Sequence, residues 1–277
     1  MLRQRVITGL VLAVVFASVI LQNNSLWISL LFAVVLFAAT WELLALTINP
    51  GRLASGLIAT GLVMLFGWSL TVIDSQLLYW QSLAGLAIWL LIAMYLPLYR
   101  YSGKWSLPGR VLLLGLGLDL LWICVHGLIY LHQHHGGWIL LYVLTLVWVA
   151  DTGAYFSGRK FGKHKLAPAI SPGKTWEGVA GGIFANLLWM LLVYQMLGSY
   201  QLHTGLNLSL IQFLLIGLAT SFISVVGDLF ESILKRQAGV KDSGKLLPGH
   251  GGVLDRIDSI IAASPVFVAG LMLVDKL

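Results

Sequence analysis

Nine apolar runs, at 6–22, 26–46, 54–73, 77–96, 111–131, 137–157, 178–198, 208–234 and 253–273, follow one another along the 277-residue chain. Each comes close to or exceeds the ~20 residues that a helix needs to cross a hydrocarbon core. Backbone amides find no water inside lipid, so the runs are expected as helices of one all-α, polytopic transmembrane bundle of about nine spans. Only 10% of the residues are charged and the mean hydropathy is +0.89, against roughly 25% charged in a soluble domain. Connections such as Gln22 to Ser25 and Asp74 to Gln76 leave no room for a soluble domain. Arg3 and Arg5 before the first run look like the start of a signal peptide, but a second run follows within a few residues and no small-x-small site ends the first. It therefore reads as an uncleaved helix. The lone Cys124 excludes an intramolecular disulfide and reads as a packing residue.

Charge sets the orientation. With a cytoplasmic N-terminus and nine spans, all 17 Lys and Arg residues except Lys276 fall on the cytoplasmic side, the bias that governs membrane insertion. Arg100, Lys104 and Arg110 need no further explanation. The segments 158–177 and 235–252 carry more cations than insertion requires, together with Gly and Pro, which suits an anionic partner such as lipid head groups or a nucleotide. No nucleic-acid partner is expected.

A carboxylate on a transmembrane helix is costly, so each of the 11 acids calls for an account. Asp74 and Asp275 lie at outer ends. Glu42 and Asp119 lie well inside spans and suit either structural pairing or function. Asp151, Asp228, Glu231, Asp255 and Asp258 all fall in the cytoplasmic thirds of their spans, beside the two basic segments. Asp228 with Glu231, and Asp255 with Asp258, are three residues apart and project from one helical face each. Two such faces brought together make an oxygen-rich site of the kind that holds Mg²⁺ along with substrate phosphates. The competing reading is that these acids merely neutralise nearby Lys and Arg.

Two loops have the makings of phosphate grips. "SPGKTWEG" (171–178) ends in Gly-Lys-Thr but is not a Walker A loop, since Pro168 stands where its first glycine belongs and no strand is expected before it. Ser171, the backbone around Gly173, Lys174 and Thr175 remain as an anion cradle at a helix start. "PGHGGVLD" (248–255) places a Gly-rich turn and His250 before the last span. His132, His134 and His135 are expected as surface decoration of an outward loop. Trp27, Trp80, Trp105 and Trp138 are expected as interfacial anchors, and Gly181 and Gly182 as points of close helix packing.

The run Ser232-x2-Lys235-Arg236-x4-Lys241-Asp242-x5-Pro248-x-His250-Gly251-Gly252-x2-Asp255-Arg256-x-Asp258 resembles the signature of the phosphatidate cytidylyltransferases, also called CDP-diglyceride synthetases. Upstream, Asp151-x2-Ala154-Tyr155-x2-Gly158-Arg159, Gly162-Lys163 and Ser171-Pro172-x-Lys174-Thr175-Trp176-Glu177-Gly178 resemble the same family in the same order. The likeness covers roughly 148–264, and the first five spans carry no family pattern.

The resemblance implies conversion of CTP and phosphatidate to CDP-diacylglycerol and pyrophosphate, with Mg²⁺ and a second cation such as K⁺, at the cytoplasmic face of the inner membrane. By resemblance, Asp228 and Asp255 hold metal, with Asp258 and Asp151 as further ligands or their partners. Lys174, Lys235, Arg236 and Lys241 neutralise phosphates, and Arg256 pairs with Asp258 or reaches a phosphate. Ser171, Thr175, Arg159, Asp242 and His250 are candidate substrate contacts. A homodimer among membrane lipids is also implied. The expected division is 1–135, about five membrane helices, and 136–277, the catalytic half with cytoplasmic loops 158–177 and 235–252. A CTP-dependent polyprenol or phytol-type lipid kinase and an anion or nucleotide transporter are the rival readings.

Overall fold

The computed structural model describes residues 2–22, 24–100, 103–199 and 208–274, and side chains from residue 9 onward within these except at 198 and 199. Asp275, Lys276 and the side chains of Arg3 and Arg5, on which part of the orientation rests, lie outside the described residues.

The helices are α1 (Leu2–Leu21), α2 (Ser25–Thr47), α3 (Arg52–Ser69), α4 (Ser75–Tyr95), α5 (Leu107–Phe161), α6 (Trp176–Ser199), α7 (Leu210–Ala238) and α8 (Leu254–Val274). Between α5 and α6 lies a two-stranded antiparallel hairpin, β1 (Lys165–Ala167) and β2 (Ser171–Thr175). Seven of the helices, α2 to α8, are long and apolar enough to cross a membrane. The chain is an integral membrane protein of helical, polytopic type.

Local signals set the element ends. Asn24 caps α2, and the Asp74 carboxylate accepts the amide of Leu77 at the start of α4 (2.7 Å). Ser209 and Gln212 form a reciprocal capping box on α7. At the other end of α7, Gly239 turns left-handed with φ of 73°, and Lys235 and Arg236 lie in the last turn, where the helix dipole favours cations.

Helix α5 has 55 residues, interrupted at Gly136, where φ is 81° and ψ is 171°. Unbroken, it would run ~80 Å at 1.5 Å per residue, far beyond a ~30 Å hydrocarbon core. The histidines at this break differ from expectation. His132 and His135 are buried, and the His132 ring bonds the carbonyl of Ile20 at the end of α1 (3.0 Å). His134 alone is exposed and stacks on Tyr130. A polar "HQHH" stretch reads as a loop, yet here it continues a helix up to the break and ties it to α1.

Helix α8 is the central element, packed against α7, α5, α4 and α2. Its small residues allow this: Ser264 lies under Gly127 of α5 and Pro265 under Gly85 of α4, where any Cβ would be crowded. A Cβ at Gly227 would run into Ala262 and the Asp258 carbonyl, so this glycine lets α7 close onto α8. Helices α5 and α6 approach equally closely through Gly153, Gly181 and Gly182, as expected for the last two. Cys124 is buried in the packed core. Trp27, Trp80 and Trp138 are exposed, whereas Trp105 is partly buried against Tyr99.

Candidate active site

The end of α5, the hairpin, the start of α6, the end of α7 and the start of α8 meet at one end of the bundle. The close approach at Gly227 puts Asp228 beside Asp258 within electrostatic reach, and Asp151 of α5 faces Asp228 in the same way. Lys174 of β2 reaches across to Asp228, with Nζ 2.7 Å from Oδ2. Asp151, Lys174 and Asp228 line a cavity of about 490 Å³ that also takes in Arg159, Ser171 and Thr175. Its floor is apolar, with Val179, Ile183 and Val225.

Beside it is a second cluster. Lys235 of α7 pairs with Glu231 one turn back and with Asp255 of α8, Nζ to Oδ1 at 2.7 Å. The other Asp255 oxygen accepts the amides of Gly252 (2.8 Å) and Ser243 (2.9 Å), with the Ser243 hydroxyl 3.0 Å away. Asp255 is thereby held by loop backbone on one oxygen and by an ammonium on the other. Asp258 Oδ1 accepts the amide of Ser259 (2.7 Å). Among the described residues no three His, Cys, Asp or Glu side chains converge into a ready-made metal cage. The donors are all hard carboxylate oxygens, and Asp228, Glu231 and Asp255 already pair with the ammonium groups of Lys174 and Lys235.

The loop after α7 encloses a third space of about 550 Å³, lined by Lys241, Asp242, Lys245, His250 and Arg256 around a Gly-rich turn. Gly249 and Gly251 have φ of 77° and 88°, conformations open to glycine at little cost. His250 reaches toward Gly9 of α1. Arg236 donates from Nε to the Ile170 carbonyl (3.3 Å), which ties α7 to the hairpin turn.

Two placements add to the sequence reading. The segment 171–175 is itself a strand paired with 165–167, so Lys174 lies in a hairpin strand and not in the loop expected there. The Thr175 hydroxyl accepts the amide of Gly178 (3.1 Å), and its side chain is buried. It acts as a cap of α6, and the Thr-x-x-Gly spacing ahead of a helix was the available signal. Glu177 closes the base of the hairpin by accepting the amides of Lys163 (3.1 Å) and His164 (3.2 Å) and pairing with the His164 ring (2.6 Å).

Of the two acids that the sequence left undecided, Glu42 lies next to the site. It is 3% exposed and accepts the amides of Val253 (3.1 Å) and Leu254 (2.8 Å), with the Ser243 hydroxyl at 3.0 Å. No local pattern could reveal this, because its partners lie some two hundred positions away. Asp119, the other undecided acid, is exposed on α5.

Fold and site together define a membrane-embedded protein that presents carboxylates and cations around cavities at one end of the bundle, the equipment for handling phosphate esters. The chain matches the cytidylyltransferase family over residues 3–274 and belongs to that family. It is 38% identical to a phosphatidate cytidylyltransferase of Haemophilus influenzae, with 96% of this chain and 97% of the relative covered. It is 42% identical to the one of Pseudomonas aeruginosa (97% and 96% covered) and 33% identical to the one of Bacillus subtilis (95% and 95%). The chain is thus a nucleotidyltransferase.

Proposed function

We infer that the chain transfers the cytidylyl group of CTP to phosphatidate, giving CDP-diacylglycerol and pyrophosphate. The observation that carries this reading is the near-full-length match to phosphatidate cytidylyltransferases. The Lys174–Asp228 and Lys235–Asp255 pairs beside the 490 Å³ cavity support it.

A phosphate oxygen of phosphatidate attacks the α-phosphorus of CTP. The new P–O bond forms as the α–β bridging bond breaks, and pyrophosphate leaves with the electron pair. The nucleophile is already an anion, so positioning and charge neutralisation carry the rate rather than a strong base. Lys174 and Lys235 neutralise phosphate oxygens as they let go of Asp228 and Asp255. Arg159 and Ser171 bind at the mouth of the first cavity. Lys241, Arg256 and His250 hold the phosphate chain along the loop, and Arg236 and Asp242 support it. A bound Mg²⁺ would supply charge stabilisation for the transferring and leaving phosphates. Asp228 and Asp255 would hold it with Asp258 and Asp151 nearby, since Mg²⁺ takes one or two carboxylates with waters and substrate phosphates rather than a full protein cage. A second cation such as K⁺, and a homodimer, rest on the family resemblance alone.

We place the site at the cytoplasmic face of the inner membrane, with α1 and the two arms of α5 bringing the crossings to nine. The distribution of Lys and Arg supports that orientation. Leu131, Ile139, Phe213, Phe267 and Leu271 belong to a buried apolar cluster, which favours an enzyme over a transporter.

The test is turnover of purified protein in detergent with CTP, Mg²⁺ and phosphatidate. Cytidine appearing in lipid with equimolar pyrophosphate is the expected result. CTP binding without any lipid product would refute the reading.

A further inference from the structure

We propose that Glu42, on α2 and outside the motifs of the second half, is a positioning residue that holds Asp255 in its working orientation through Ser243. This rests on the assignment of Asp255 to the cytidylyl-transfer site.

Glu42 is the only charged residue of α2, and every polar contact it makes is with the loop and helix start that present Asp255. Its two oxygens accept the amides of Val253 and Leu254, donors that the first turn of α8 leaves without intrahelical partners. Its Oε2 lies 3.0 Å from the Ser243 hydroxyl, which lies 3.0 Å from Asp255 Oδ2 and accepts the Asp255 amide (3.2 Å). One hydroxyl proton stands between two carboxylates, so the orientation of Ser243 links them. The fit is tight on both sides: a Cβ at Gly244 or at Gly252 would overlap the Glu42 carboxylate. Both Glu42 oxygens are held by amides and a hydroxyl, without the exchangeable ammonium that Asp255 has, which suits a positioning role. It fixes the height of α8 against α2 and the direction of Asp255, the task of a partner residue behind a reacting group.

Glu42→Gln keeps the shape but turns an amide N–H toward a backbone donor, so the loop must shift. The full-length protein in detergent is expected to lose about 10- to 100-fold in kcat, the range for such supporting partners. The KM for CTP should stay within about twofold, because the residue acts on orientation and not on nucleotide contacts. Ser243→Ala should show the same kcat loss, and the double variant should be no worse than the weaker single variant, since both break one chain of contacts. If Glu42→Gln does not fold, Gly244→Ala takes its place with the same expected signature. A Glu42→Gln protein with kcat within about twofold of the unaltered protein would overturn the proposal, as would losses that multiply in the double variant. Absence of lipid product from the unaltered protein would refute the cytidylyl-transfer reading instead, so the two failures are distinguishable.

Discussion

At the scale of single residues, the two Lys–Asp pairs are the centre of the account. Each ammonium occupies a carboxylate oxygen that the proposed chemistry uses for a cation. Asp228→Asn and Lys174→Gln are each expected to lower kcat by about 10²–10³, the loss typical when one charge-stabilising group is removed. Steady-state kinetics at saturating CTP would check this, and full activity in either variant would remove that residue from the mechanism. Thr175 belongs in a different category. Its hydroxyl serves the amide of Gly178, so Thr175→Val should destabilise by about 1 kcal/mol as a lost helix cap. Thermal unfolding should register that loss while the KM for CTP stays unchanged; a rise in KM with normal unfolding would restore the substrate contact expected from the sequence. Asp151, Asp228, Asp255 and Asp258 were legible as a group because ionised residues stand out against apolar spans. Glu42 was not, since its role is defined by distant backbone donors that a sequence does not display, while the capping role of Thr175 had a signal in its Thr-x-x-Gly spacing.

At the scale of elements, the positions of glycine decide where helices touch. Gly227 precedes Asp228 and lies against the Asp258 carbonyl, so one small residue brings the two acids together. Gly227→Ala would force α7 off α8, at a cost of about 1–3 kcal/mol by overpacking. The measurable result is a lower midpoint of thermal unfolding together with reduced turnover; normal values for both would show that the site tolerates a wider separation. The apolar runs foretold the helices well because a hydrocarbon core admits little else. The hairpin at 165–175 escaped notice, and His132 and His135 were expected in a surface loop but are buried, for related reasons. Three to five residues of strand leave no periodicity to detect, and a polar stretch before a helix break has the composition of a loop.

At the scale of the whole molecule, the N-terminal half supplies Glu42 and the packing surface of α4, while the signature residues all lie in the second half. The proposed orientation gives a direct expectation. In a Cys124→Ser background, cysteine placed at Lys245 should react with a membrane-impermeant maleimide in inside-out vesicles and stay unlabelled in intact cells. The reverse pattern would invert the topology and put the site on the wrong side for CTP. The central claim concerns which phosphate of CTP moves. Purified protein should be given phosphatidate and CTP labelled at either the α- or the γ-phosphate. The account predicts lipid labelled only from the α position, with the γ label released in pyrophosphate, and loss of both in Asp255→Ala. Label carried into lipid from the γ position would contradict it and make the protein a kinase.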